Sequence, residues 1–141
     1  MGNAKPHKNL DISCFWMRKI KFIVEDKQIT AEFIDKNPKT ANAVWDALPL
    51  QSRINTWGDE IYFRTTVKMN EENAQENVEV GDVAYWPEGR CICIFFGKTP
   101  VSTNEKPKAY SPVNVFAKIT GNISVLKNIV PGSVVRVEEA G

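Results

Sequence analysis

The side chains that most often act as nucleophiles or zinc ligands are few in this chain. Three cysteines, Cys14, Cys91 and Cys93, and one histidine, His7, stand in 141 residues. Cys91 and Cys93 lie two apart in an apolar run, so on a strand both point to one face and cannot easily pair with each other. Cys14 is isolated and His7 falls in a polar tail, so nothing completes a metal site or a nucleophile pair. The expectation is buried, inert thiols, with no metal and no cofactor. The carboxylates Glu60, Asp82 and Glu88 sit at turns, where solvated punctuation is the ordinary reading and general acid–base work the alternative. No glycine pattern cradles a phosphate.

The charge balance narrows the partners. Eighteen basic and seventeen acidic residues leave a net charge of +1. Nucleic-acid and membrane-surface binding both call for a concentrated positive field, and none is present. Lys98 to Lys108 carries three lysines and one glutamate and reads as a solvated loop. No apolar run approaches the roughly 18 residues of a spanning helix, and no apolar core of a signal peptide precedes Arg18. A cytoplasmic protein, monomeric or homodimeric, is expected.

The elements that must position any site are mostly strands. Residues 1–18 read as a polar, partly disordered arm and residues 19–141 as one domain. Ile20, Phe22 and Val24 alternate with polar residues, as do Ile29, Ala31 and Phe33, and together they read as a hairpin. At Asn37-Pro38 the period changes. Asn suits an N-cap and Pro the first helical position, and Ala41, Val44, Trp45 and Leu48 then form an apolar stripe ended by Pro49. Strands follow at 52–56, 61–67, 83–86, 91–96, 113–120 and 134–138, with a short helical turn at 123–129. The polar stretch Asn70 to Glu79 reads as a mobile loop. About eight strands, one or two short helices and no βαβ alternation predict a mainly β fold, an antiparallel barrel or sandwich.

Particular residues sharpen this. The segment from Ile29 to Leu48, with Pro38-Lys39-Thr40-Ala41 opening its helix, resembles the start of a cyclophilin. Phe95-Phe96 and Val115-Phe116-Ala117-Lys118-Ile119 resemble two later cyclophilin strands, in the same order. Trp57-Gly58-Asp59-Glu60, Gly81-Asp82-Val83-Ala84-Tyr85-Trp86-Pro87, Ile94-Phe95-Phe96-Gly97-Lys98 and Ser111-Pro112-Val113-Asn114 are similar to the small prokaryotic cyclophilin-like family, whose function is generally unassigned. The resemblance implies a closed, eight-stranded antiparallel cyclophilin-like β-barrel capped by one or two short helices.

It also sets a test for prolyl isomerisation, which must lower an amide-resonance barrier of roughly 18–20 kcal/mol. A cyclophilin is thought to aim an arginine at the prolyl nitrogen, so that the donor acts most strongly in the twisted transition state. By resemblance that arginine is Arg53, with Arg64 as competitor, and an exposed strand arginine is the ordinary reading of Arg53. The pocket phenylalanine is Phe96. The orienting glutamine has become Ile94, the groove histidine Val113, and the groove tryptophan finds only Tyr110 in its neighbourhood. Those losses predict a domain that binds a small molecule or an extended, proline-containing peptide without efficient catalysis. A weak peptidyl-prolyl isomerase using Arg53 and Phe96 is the alternative reading, and an oligomerisation or interaction domain a further one.

The groove itself is placed by the strand at 91–96, which is apolar on both faces. One face belongs to the core, and the other is open or covered by a loop. Ile94 and Phe96 are expected to line the groove, together with Tyr62, Arg64, Trp86 and Tyr110. Thr99 to Pro112 is expected to fold over Phe96 as its wall.

Overall fold

Alternating apolar residues place ten strands in one rolled layer around a core. The computed structural model describes residues 18–140. The expected arm therefore lies outside the described residues except for Arg18, as do His7 and Cys14. In chain order the elements are β1 (Lys19–Val24), β2 (Lys27–Phe33), α1 (Pro38–Ala47), β3 (Leu50–Arg53), β4 (Asn55–Thr56), β5 (Glu60–Arg64) and β6 (Gln75–Asn77). They continue with β7 (Asp82–Trp86), β8 (Cys91–Phe95), β9 (Lys108–Ile119), a 3-10 helix (Ile123–Asn128) and β10 (Val134–Ala140).

The sheet runs β3-β10-β1-β2-β9-β7-β8-β5-β4, with β6 joined to β9 off that path, and its pairings are antiparallel. A closed eight-stranded barrel is therefore not what forms. The hydrogen-bonded path is open, and it has ten strands. Its two ends, β3 and β4, are consecutive in the chain and separated only by Ile54. The Ile54 N–H donates to Ser133 O and its carbonyl accepts from Gly132 N, which binds the break to the turn before β10.

The longer strands each send a set of alternate side chains into the core. Ile20, Phe22 and Val24 of β1 meet Ile29, Ala31 and Phe33 of β2, Ile61 and Phe63 of β5, Ile92 and Ile94 of β8, and Val135 and Val137 of β10. The stripe of α1 closes one side, with Trp45 edge-on to Phe33 at 5.7 Å between ring centroids. Burying side chains of this size stabilises by about 1.5–3 kcal/mol each. A bulge in β9 pairs Val83 with Ala117 and Ala84 with Val115, and the intervening Phe116 is fully buried against Phe33.

Asn37 precedes α1 as expected but does not cap it with its side chain. It donates instead to Val115 O (2.7 Å) and accepts from Asn73 N (2.7 Å). The cap comes from Glu72, whose carboxylate accepts from Lys39 N, Thr40 N and Thr40 Oγ1 at 3.1, 3.0 and 2.8 Å. Buried Asn114 accepts from Glu72 N and donates to Asn70 O, both at 3.0 Å. The polar stretch read as a mobile loop is thus tied to the helix and to β9, and it contributes β6.

Candidate functional site

The outward faces of the central strands form a second apolar cluster. Cys91, Cys93 and Phe95 of β8 pack with Ala84 of β7 and with Ala109, Val113 and Val115 of β9. The strand register explains this set: Tyr62, Cys93, Ala84 and Val115 lie across one row of β5, β8, β7 and β9. The N-terminal half of β9, held by β6, covers only part of that face. Beside it remains a cavity of about 210 Å³, lined by Trp57, Glu60, Tyr62, Trp86, Cys93, Ala109, Tyr110, Ser111 and Val113.

Aromatic rings make most of its wall. Trp57 and Tyr110 stand 6.0 Å apart with planes at 83°, Tyr110 and Trp86 6.1 Å apart at 82°, and Trp86 and Tyr62 6.4 Å apart at 88°. Successive planes therefore turn by nearly a right angle, which encloses space where parallel stacking would fill it. Trp86 is fixed by its indole, which donates to Ser111 Oγ at 2.6 Å, while that hydroxyl donates to Glu88 at 2.8 Å. Gly89 lies so close beneath the indole that an added Cβ would come within 2.2 Å of the ring. Tyr110 is 67% exposed, at the outer rim.

Glu60 is delivered by a tight hairpin. Trp57 and Glu60 exchange backbone hydrogen bonds at 2.9 and 3.2 Å across Gly58-Asp59, and Gly58 has φ +60°, which a first central glycine adopts without strain. The Glu60 side chain shares the outer face of β5 with Tyr62, yet Glu60 is only 6% exposed. Its Oε1 is buried without a hydrogen-bond partner. Burial raises its pKa from 4.5 to about 7, and a hydrogen bond with the Cys93 thiol opposes the rise. Cys93 is pushed well above the ordinary thiol range by burial and by the Glu60 charge, so it stays a thiol and is a poor nucleophile. The other turn carboxylates are engaged: Asp82 accepts from Lys118 Nζ at 2.6 Å and from Glu79 N at 2.8 Å, and Glu88 accepts from Ser111.

The residues nominated from sequence divide into two groups. Tyr62, Trp86 and Tyr110 come together around the cavity, as does Val113, the position of the isomerase histidine by resemblance. Ile94 and Phe96 do not. They point inward, 2% and 9% exposed, and belong to the main core, so Thr99 to Pro112 builds no wall over them. The second half of that segment is the start of β9, while its first half is pinned where the Thr99 hydroxyl donates to Lys108 O. Arg53 lies on β3 at one end of the sheet and donates to Gly132 O at 2.9 Å. Arg64 ends β5 opposite Cys91, and neither arginine lines the cavity. Sequence reasoning does not place Glu60 or Cys93 in the groove. Period-2 alternation alone carried the signal, since Glu60 is two residues from Tyr62 on one strand.

The family model described as cyclophilin-like matches residues 18–138. The chain belongs to the cyclophilin-like family. Among solved structures, this cyclophilin-like domain is similar to the solution structure of a hypothetical protein from Archaeoglobus fulgidus. The two are 42% identical with a TM-score of 0.75, over 87% of this chain and 95% of the other. No curated protein matches the chain. Among the described residues, no helix is long and apolar enough to cross a membrane, and no group of three or more His, Cys, Asp or Glu could hold a metal ion.

Proposed function

We propose that this cyclophilin-like domain is a binding protein whose small ligand occupies the aromatic cavity on the outer face of β5, β7, β8 and β9. One observation carries the reading: Glu60 Oε1 is buried, lacks a partner and belongs to a residue lining a space large enough to hold one. A buried polar atom left unsatisfied costs about 1–3 kcal/mol, and a ligand donor would remove that cost. The space is of a size with engineered cavities of roughly 150 Å³ that take up benzene. Aromatic walls supply apolar contact while the carboxyl fixes orientation, the usual division of labour in ligand pockets. A cytoplasmic setting belongs to the same reading, since Cys91 and Cys93 are free, buried thiols.

Isomerisation draws no support from Arg53, which lies on β3 outside the cavity lining and donates to the Gly132 carbonyl. A fragment screen followed by amide and indole NMR tests the proposal. Hits are expected to move the indole signals of Trp57 and Trp86, and Ala109→Met, which extends a flexible chain into the cavity, should abolish them. Hits that leave both indoles unmoved, or that survive Ala109→Met unchanged, would refute the site.

A further inference from the structure

We infer that the ligand is an organic cation of the methylated or quaternary ammonium class, held between the Glu60 carboxylate and the rings of Trp57, Tyr62, Trp86 and Tyr110. The inference rests on the binding function proposed above and adds to it the chemistry of the occupant. No lysine, arginine or histidine lines the cavity, so the acid there has no cationic partner among the lining residues. An anion entering would meet a buried carboxylate and the negative faces of the rings, with no basic residue in the lining to neutralise it. A cation meets opposite charge at Glu60 and the negative faces of aromatic rings, which attract ammonium groups most strongly when water is excluded. The near-perpendicular succession of planes, 83°, 82° and 88°, surrounds a rounded group better than it clamps a flat one.

The acceptor count chooses among cations. A primary ammonium brings three N–H donors. Against them the cavity offers the unpartnered Glu60 Oε1, one remaining lone pair on the Ser111 hydroxyl and the phenol oxygens of Tyr62 and Tyr110, in a wall otherwise made of ring faces and apolar side chains. Methyl groups need no acceptors and are weakly hydrated, so a methylated ammonium leaves fewer donors stranded. The other titratable or charged groups around the site are Cys93 and Cys91 on β8, Tyr62 and Arg64 on the same face of β5 as Glu60, Tyr110 on β9, and Glu88, which accepts from Ser111; β7 contributes none to the lining. Both thiols have raised pKa values and remain neutral alongside the carboxylate, so Glu60 is the acid of the cavity lining whose charge changes near neutrality.

The test titrates choline, and separately its neutral carbon isostere with tert-butyl in place of trimethylammonium, into the full chain. Calorimetry and the indole signals of Trp57 and Trp86 report binding. Choline should bind at least about tenfold more tightly than the isostere at about pH 8.5, and should lose about tenfold or more on acidification to about pH 5.5. Glu60→Gln should remove most of the preference for charge, and Tyr110→Leu, at an exposed position, should weaken choline several-fold without loss of fold. Equal or tighter binding of the neutral isostere would overturn the cation assignment while leaving a ligand site in place. Failure of both probes, in a protein whose fragment hits are neutral and still move the two indoles, would overturn it too. Absence of any hit at those indoles would instead remove the binding site on which the inference stands.

Discussion

Replacing Glu60 by glutamine should stabilise the protein in mildly alkaline solution and barely change it in acid. The folded state holds this carboxyl at a pKa of about 7, against 4.5 for the free group, because burial penalises its charge. A group whose pKa is raised on folding binds more protons in the native state than in the unfolded one between those two values. Stability is therefore full below about pH 4.5 and falls as pH rises through 7. Each pH unit separating the folded and unfolded values is worth about 1.4 kcal/mol, so ionised Glu60 costs about 3 kcal/mol by pH 8.5. Glutamine keeps the shape and a hydrogen-bonding oxygen but cannot ionise, so it escapes that cost. In a domain of this size the gain corresponds to an increase in melting temperature of about 10 °C. Urea unfolding of both proteins at several values from about pH 4 to about pH 8.5 isolates the effect, since titrations elsewhere cancel in the difference. A difference that stays flat across the range would refute the reasoning, and so would one that grows toward acid.

Three other substitutions probe the elements around the site. Gly89→Ala should drive the Trp86 indole off Ser111, because the new Cβ would meet the ring at 2.2 Å; the indole signal should shift strongly, with a loss of about 1–3 kcal/mol. Glu72→Ala removes the cap of α1 and an anchor of the segment before β6, and should cost about 0.5–2 kcal/mol by denaturation, with faster amide exchange at Lys39 and Thr40. Phe96→Ala should cost about 3–5 kcal/mol as a core cavity yet leave fragment binding unchanged, whereas loss of binding in the folded variant would put the site on the wrong face of β8.

Much of the fold was legible because its signals are local. Alternation in Lys19–Val24 and Lys27–Phe33 defines a strand whatever lies beyond it, and the stripe on Pro38–Ala47 does the same for a helix. Closure was not legible, because it depends on whether two edges find each other. Ile54 spends its backbone groups on the Gly132–Ser133 turn, and the sheet stays open there. The cap on α1 was hidden for a similar reason, since Glu72 reaches it from thirty-odd residues away while Asn37, the local choice, is drawn to Val115 O. Strand 91–96 posed the hardest case. Its alternation separates Ile92, Ile94 and Phe96 from Cys91, Cys93 and Phe95, but period 2 does not say which set faces inward when both are apolar.

The answer to that ambiguity is also what creates the site. The inward-facing residues of β8 and its end, Ile92, Ile94 and Phe96, complete a core already crowded by Phe22, Phe63 and Phe116. The outward set needed cover of its own, and the chain supplies it by extending β9 to twelve residues and laying its first half over Cys93 with the help of β6. A complete cover would have buried Glu60 against apolar side chains with no route to a partner. The cover stops short at Tyr110 and Ser111, and the gap is walled by rings whose bulk alone would favour closing it. Trp86, positioned by Ser111 on one side and confined by Gly89 on the other, cannot swing in to fill the space. A buried carboxyl with one oxygen left unpartnered, beside a space that local packing holds open, is costly to a fold with nothing to bind. The same arrangement would become favourable once an occupant satisfied Glu60, and on that ground the proposed binding site belongs to this outer layer and not to the cyclophilin-like scaffold beneath it.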